Sequence, residues 1–245
     1  MTETKRSTET ATFVLVPGFW LGAWAWDEVA KPLRAAGHRV EAMTLPGLES
    51  RGTPRAGLTL ADHVDAVAKR VAGLDPGVIL AGHSGAGRVV YAVTDLMPDR
   101  IRRAVYVDSG PQPDGSSLHP GLDQAVTELP LPSWAELEAV GSHLTGLDEA
   151  ALARFRERAV PQPAGSARDP LRLTNPAREQ VPVTLITSSF PSTEVIRLAA
   201  DGHPFFAELL RLKVSYTDLP TGHWPMWSRP ADLAAALAGA AGAAD

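Results

Sequence analysis

The chain of 245 residues contains no cysteine. This absence excludes a disulfide-stapled scaffold, a thiol nucleophile and a thiolate metal site. Its 23 basic and 28 acidic side chains leave a formal net charge of −5, which argues against a nucleic-acid partner because phosphate binding requires clustered lysine and arginine. No apolar run approaches the roughly 20 residues of a membrane span, and the polar N-terminus lacks the apolar core of a signal peptide. We therefore expect a cytoplasmic protein with no membrane partner.

Short β-branched runs alternate with helix-like segments along the first 110 residues. The predicted strands are 12–17, 39–43, 78–81 and 101–107, and the predicted helices are 24–36, 58–72 and 85–96. Strands separated by helices of this length are typical of a parallel sheet that is covered on both faces. The pattern therefore predicts an α/β fold with a mostly parallel sheet.

The alternation is interrupted between residues 111 and 180, where strong strand signals are absent. We interpret this stretch as an inserted helical lobe that forms a lid. Strands are predicted again at 181–188 and 213–219, and helices at 193–200 and 230–240. The expected organisation is a single domain over residues 1–245, with a core of about 11–110 and 181–240 and a lid lobe of about 111–180.

The most informative local motif is Gly82-His83-Ser84-Gly85-Ala86-Gly87, which lies between a predicted strand and a predicted helix. A serine in this position occupies a sharp strand-to-helix turn, where crowding requires small neighbours. The start of the helix supplies free backbone N–H groups, so the N–H of Gly85 can stabilise an oxyanion. Two alternatives are an ordinary βα turn and a dinucleotide-binding loop, although the motif follows the third predicted strand and not the first.

A nucleophilic serine requires a base, and His223 is the best placed of the seven histidines. It follows the last predicted strand and precedes the last predicted helix. Its loop therefore opens at the carboxyl edge of the sheet, where the turn at Ser84 also points. The structural alternative is a loop histidine that only stacks on a neighbouring tryptophan. We predict that Ser84 and His223 act as nucleophile and base.

Three stretches resemble the α/β-hydrolase superfamily, and within it the plant methylesterase and hydroxynitrile lyase-like group. They are FVLVPGFWLGAWAW at 13–26, GHSGAG at 82–87 and GHWPMWSRP at 222–230. The resemblance covers nearly the whole chain outside the lobe. It implies the α/β-hydrolase fold, the order serine, acid, histidine, and a second oxyanion donor, the backbone N–H of Phe19. Two departures are Pro17, where the family usually has histidine, and Ala86, where G-x-S-x-G ends in glycine.

The acid is the largest departure from the family pattern. Members of the family usually carry it in the loop after the strand that follows the lobe, but that loop, 187–194, has no aspartate at the strand end. Asp108 ends the fourth predicted strand, and some members of the superfamily place their acid there. We expect Asp108 to orient His223, with Glu194 as the alternative acid and a serine–histidine dyad as the third alternative.

Tryptophans cluster around the predicted site in the sequence. We expect four residues to line the substrate pocket: Trp20, Trp134, Trp224 and Met226. An aromatic mouth without clustered lysine or arginine suits a small, largely apolar molecule and disfavours a phosphorylated or multiply anionic one.

These residues predict a serine hydrolase that cleaves a carboxylic ester or lactone through an acyl-enzyme on Ser84, without a metal or cofactor. One alternative is hydroxynitrile lyase-like or decarboxylase chemistry, although Trp224 stands where such lyases carry a lysine. Another is a non-catalytic small-molecule receptor. A thioester substrate, acyl transfer to an alcohol other than water, and a homodimer also stay open. The high content of alanine, arginine, glycine and proline favours a bacterial source.

Overall fold

The computed structural model describes residues 10–243. The prediction that no signal peptide is present concerns the N-terminus, and residues 1–9 lie outside this described part. Between residues 10 and 243, no helix is long and apolar enough to cross a membrane.

Strands and helices alternate through most of this range. The strands are β1 (Thr12–Val16), β2 (Arg39–Ala42), β3 (Val78–His83), β4 (Ile101–Val107), β5 (Glu128–Leu129), β6 (Gln162–Pro163), β7 (Val183–Thr187) and β8 (Val214–Asp218). The α-helices are α1 (Asp27–Ala35), α2 (Leu60–Ala72), α3 (Gly87–Leu96), α4 (Trp134–Ala139), α5 (Glu149–Arg158), α6 (Ala164–Arg168), α7 (Ser192–Ala200), α8 (Pro225–Ser228) and α9 (Pro230–Gly242).

The main sheet has the strand order β2-β1-β3-β4-β7-β8, and every neighbouring pair is parallel. All six strands predicted from the sequence are present, which confirms the α/β prediction. Because parallel strands end at the same edge, the loops after β1, β3, β4, β7 and β8 open on one side of the molecule. This edge is where side chains distant in sequence can meet.

Alternate residues of the central strands face opposite sides of the sheet. In β1, Phe13 and Leu15 belong to a core cluster with residues of α1 and α9, whereas Val14 and Val16 belong to a second cluster with residues of α2, α3 and α7. All four side chains are fully buried. A parallel strand that is buried on both faces has a continuous apolar sequence, which explains why this strand is recognisable in the sequence.

Capping residues set the starts of several helices. The Thr59 hydroxyl accepts the N–H of Asp62 and the Asp62 carboxylate accepts the N–H of Thr59, which forms a capping box at α2. Ser133 and Glu136 form the same reciprocal pair at α4. The carboxylate of Glu136 is therefore engaged at a helix start.

The stretch at 111–180, which was predicted to be helical, also contains two short strands and a 3-10 helix. The strands β5 and β6 pair antiparallel in a small second sheet, and a 3-10 helix runs over Pro176–Gln180. Another 3-10 helix, Pro204–Arg211, follows α7 and was not predicted. Strands of two residues are too short to leave a period-2 pattern.

A buried arginine ties this stretch to the core. The guanidinium of Arg88, in the first turn of α3, donates to the backbone carbonyls of Ser116, Ser166 and Asp169 at 2.8, 3.2 and 2.6 Å. Arg88 is 1% exposed, and its burial lowers the pKa of the guanidinium to about 10. The charge is held by three carbonyl dipoles, so the segment is anchored close to the turn that carries Ser84.

We expect Arg88→Met to lower the free energy of unfolding by about 2–4 kcal/mol, because three carbonyls, one of them in a buried hydrogen bond, lose a charged donor. Urea unfolding measures this change. The matched control is Arg172→Met, at an exposed arginine of the same stretch, which should change stability by less than about 0.5 kcal/mol. Equal stability of the two variants would show that the Arg88 contacts do not anchor the segment.

Candidate active site

The loops after β3, β4 and β8 bring Ser84, Asp108 and His223 together. His223 Nε2 lies 2.8 Å from Ser84 Oγ, and His223 Nδ1 lies 2.5 Å from Asp108 Oδ2. One ring nitrogen can therefore accept the serine proton while the other donates to the carboxylate. This is the geometry required of a nucleophile, a base and the group that orients the base.

Within residues 10–243, three non-glycine residues have a left-handed backbone, and all three line the same cavity. They are Trp20 with φ 67°, Ser84 with φ 52° and Asp108 with φ 44°. Residues other than glycine rarely adopt this backbone conformation, and it persists only where the surrounding structure enforces it. At Ser84 the conformation produces the sharp turn that presents the hydroxyl to the cavity.

The turn that carries the serine requires glycine on both sides. A Cβ at Gly82 would lie 2.5 Å from Cγ2 of Val90, and a Cβ at Gly87 would overlap Oγ of Ser109. Contacts this short force the backbone or the neighbour to move. The crowding inferred from the small residues of the motif is therefore present in the structure.

The carboxylate of Asp108 receives four donors. Oδ1 accepts the backbone N–H groups of Ser188 and Ser189 at 3.1 and 2.9 Å, and Oδ2 accepts Ser189 Oγ at 2.6 Å as well as His223 Nδ1. Burial would raise the pKa of Asp108, but the hydrogen bond and charge of His223 and the hydrogen bonds from Ser189 hold that pKa well below its usual range. Asp108 is therefore the ionised partner of the histidine.

The alternative acid, Glu194, lies in a different environment. It is in the first turn of α7, where its carboxylate pairs with Arg197 at 2.6 Å on an exposed face. The structure places Asp108, and not Glu194, against His223. The catalytic role of Asp108 stays a prediction that mutation can test.

The two predicted oxyanion donors lie beside the serine. Phe19 and Gly85 both line the cavity, and the Phe19 ring packs so closely on Gly85 that a Cβ there would be 2.5 Å from it. Gly85 is in the first turn of a helix, where N–H groups lack an acceptor within the helix. Among the described residues, no acceptor contacts the N–H of Phe19. Both groups are thus available to a substrate oxygen.

His83 supports the loop that carries His223. In the sequence, only its position beside Ser84 indicates that it lies near the site. It is 1% exposed, and its Nε2 lies 2.7 Å from the backbone carbonyl of His223. Because a carbonyl only accepts, Nε2 carries the proton and donates. Burial, together with the nearby His223, lowers the pKa of His83 to about 3. His83 is therefore a neutral donor that holds the loop of His223 in place.

Two serines that belong to no sequence motif connect neighbouring loops. Ser109 Oγ donates to the carbonyl of Ser84 at 2.6 Å, which joins the loop after β4 to the nucleophile turn. Ser189 joins the loop after β7 to Asp108. Both contacts cross between strands, so only the sheet order could have indicated them.

A cavity of about 610 Å³ opens above the serine. Trp20 and Trp224 line it as predicted, but the structure corrects the other two predicted pocket residues. Met226 is fully buried in the core cluster that contains α1 and α9. Trp134 packs its ring against Phe155 and does not reach the cavity. Both side chains pack against other residues of the protein. The sequence around Met226 and Trp134 does not reveal this difference from a side chain that faces the cavity.

Comparison with known proteins identifies relatives over nearly the whole chain. A profile of the alpha/beta hydrolase family matches residues 13–236. The carbendazim hydrolyzing esterase of Nocardioides sp. (strain SG-4G) is 33% identical over 250 aligned residues, which cover 93% of this chain and 98% of that protein. Methylesterase 1 of Arabidopsis thaliana is 31% identical over 153 residues, or 60% of this chain and 57% of that protein.

Solved structures share the fold. An extracellular alpha/beta-hydrolase from a Paenibacillus species superposes with a TM-score of 0.75 at 23% identity, covering 94% of this chain and 98% of that one. A methylesterase from Arabidopsis superposes with a TM-score of 0.74 at 22% identity, covering 93% and 97%. These likenesses confirm the fold that the motifs predicted.

We expect Asp108→Asn to lower kcat for an activated ester such as p-nitrophenyl acetate by about 10³–10⁴-fold, because an amide favours the wrong imidazole tautomer and cannot stabilise the imidazolium. Circular dichroism should show an unchanged fold. The matched control, Glu194→Gln, should keep kcat within about twofold. Normal turnover in Asp108→Asn with a loss in Glu194→Gln would assign the acid to Glu194.

The buried neutral His83 predicts a pH-dependent stability. Its pKa is about 6.5 in the unfolded chain and about 3 in the folded one, so the unfolded state binds more protons between these values. Stability is therefore lost as pH falls below about 6.5, by up to about 1.4 kcal/mol per pH unit. His83→Gln keeps a neutral donor, so its unfolding free energy should decline by about 2–3 kcal/mol less than that of the wild type between pH 7.5 and 4.5. Parallel declines in urea titrations would contradict this.

Proposed function

The chain belongs to the alpha/beta hydrolase family, and we propose that it is a serine esterase that cleaves a carboxylic ester or lactone of a small, largely apolar molecule. The observation that carries this proposal is the hydrogen-bonded series Ser84, His223 and Asp108 at the wall of an apolar cavity. The names of relatives support the reaction class, because the relative matched along 98% of its length is a carbendazim hydrolyzing esterase.

The geometry supports a two-step mechanism. His223 takes the proton of Ser84 as Oγ attacks the ester carbonyl, and Asp108 stabilises the imidazolium. The N–H groups of Phe19 and Gly85 hold the oxyanion of the tetrahedral intermediate. His223 then protonates the leaving alcohol, which departs and leaves an acyl group on Ser84. In the second step His223 takes a proton from water as the water attacks the acyl carbon. His223 then returns this proton to Ser84 Oγ as the bond between Oγ and the acyl carbon breaks, which releases the carboxylic acid and restores the serine.

The walls of the cavity favour a neutral substrate. Among the described residues that line it, none is lysine or arginine, and an anion buried without a partner is costly. Leu118, Leu129 and Leu137 contribute apolar wall from the stretch at 111–180. The proposal therefore includes this stretch as a lid lobe of a single domain. It also includes a cytoplasmic location and independence of metal and cofactor, as expected from the sequence.

An alkyl fluorophosphonate tests whether the serine is activated. We expect one adduct per chain by intact mass, mapped to Ser84 by peptide analysis, because the probe reacts with a serine whose base can remove its proton. His223→Ala should abolish labelling, whereas His143→Ala, at an exposed histidine of the lobe, should preserve it.

Two other results would favour one of the alternative functions over an esterase. Folded protein that takes no adduct but cleaves cyanohydrins would favour the lyase alternative. Tight binding of a small molecule without turnover would favour the receptor alternative.

A further inference from the structure

The wall of the cavity contains a buried side-chain amide that the proposed mechanism does not use. Gln112 lines the cavity and is 5% exposed. Within residues 10–243 its side-chain amide has no hydrogen-bond partner. Its polar atoms are not among the unpaired atoms that are sealed from solvent, so the amide opens on the cavity and can pair there with water or with a bound molecule. A partner that enters the cavity would satisfy this amide.

The segment that carries Gln112 is fixed against the reacting serine. It leaves β4 through Asp108 and Ser109, and Ser109 Oγ is bonded to the carbonyl of Ser84. Gly110 and Pro111 are buried as well. The amide is therefore held in the same cavity as the nucleophile, on a segment with little freedom to turn outward.

The other polar side chains of the wall, apart from the catalytic groups, His83 and Ser109, already have partners or reach solvent. Thr187 donates to Asp218 at 2.7 Å, and Glu136 is engaged with Ser133 at the start of α4. The remaining two are only half-buried or exposed: Ser142 and His119. Two side-chain groups of the described wall are therefore left for a bound molecule, the amide of Gln112 and the indole N–H of Trp224. Only the amide offers both a donor and an acceptor.

Aromatic side chains from two distant parts of the chain line the cavity that contains this amide. Phe19 and Trp20 follow β1, whereas Phe190, Phe205 and Phe206 lie beyond β7. In the sheet, β1 and β7 are separated by β3 and β4, and three strand spacings amount to about 14 Å. The cavity can thus accept an elongated apolar molecule that extends past the serine and carries a single polar group.

We propose that Gln112 determines specificity in this cavity by hydrogen bonding to a neutral carbonyl or hydroxyl group, several bonds from the scissile ester, on an otherwise apolar substrate. The part of the proposal that concerns a scissile ester rests on the proposed function, whereas the binding of the neutral oxygen does not. A site built to pair with a polar group discriminates against analogues that lack it, because its own amide is then left unpaired.

Matched p-nitrophenyl esters test the preference in turnover. The pairs are 4-oxopentanoate with pentanoate, 5-oxohexanoate with hexanoate, and 6-oxoheptanoate with heptanoate. We expect the oxo member to have a kcat/KM at least about tenfold higher at one chain length, mainly through KM. Gln112→Met, which is close in size and apolar, should remove this preference, so that the oxo ester and the plain ester have similar kcat/KM. The control Gln124→Met, at an exposed glutamine of the lobe, should keep it.

Gln112→Asn provides a second variant that retains the amide. Its side chain is shorter by one methylene, so the amide lies farther from the cavity. The preference should therefore move to another oxo position or become weaker. No preference in the wild type at any chain length, or a preference unchanged in Gln112→Met, would overturn the assignment.

Binding without turnover separates this inference from the proposed function. In Ser84→Ala, the fluorescence of Trp20 and Trp224, which line the cavity, can follow titration with 4-phenyl-2-butanone and with butylbenzene. We expect the ketone to bind at least about tenfold more tightly, and the added change Gln112→Met to equalise the two. Equal affinities, or no binding of the ketone, would overturn the inference. Ketone selectivity in a protein that hydrolyses no ester would instead refute only the proposed function.

Discussion

The hydrogen bond between Asp108 and His223 is the contact on which the rest of the site depends. It joins the end of β4 to the loop after β8, and the same imidazole faces Ser84 at the end of β3. Ser188 and Ser189 complete the carboxylate shell from the loop after β7. These hydrogen bonds connect the loops that follow β3, β4, β7 and β8. The four loops can meet because the strands are parallel and end at one edge of the sheet.

Backbone strain is concentrated at the positions that this arrangement needs. Left-handed conformations at Trp20, Ser84 and Asp108 cost about 1–3 kcal/mol each. The sheet resists relaxation because its central strands are buried on both faces. The Arg88 contacts and the His83 hydrogen bond restrain the segments above it. A rigid scaffold therefore maintains a geometry that an isolated turn would not adopt.

Features that depend on local pattern were predictable, and those that depend on contacts between strands were not. The position of Ser84 at a strand-to-helix turn could be predicted from its motif, and the position of Asp108 at a strand end from the apolar run before it. Trp134 was expected at the cavity but packs against Phe155, because the local sequence does not distinguish an aromatic residue used for packing from one that faces a cavity. Gln112 and Ser189 carry no motif, since their partners are a cavity and a neighbouring loop.

Proton NMR of the free enzyme tests the central contact most directly. A short hydrogen bond from Nδ1 of His223 to an ionised Asp108 should give a far-downfield resonance, because charge-assisted hydrogen bonds are short and strong. We predict that this resonance is present in the wild type and in Glu194→Gln and is absent in Asp108→Asn. Its persistence in Asp108→Asn, or its loss in Glu194→Gln, would contradict the account.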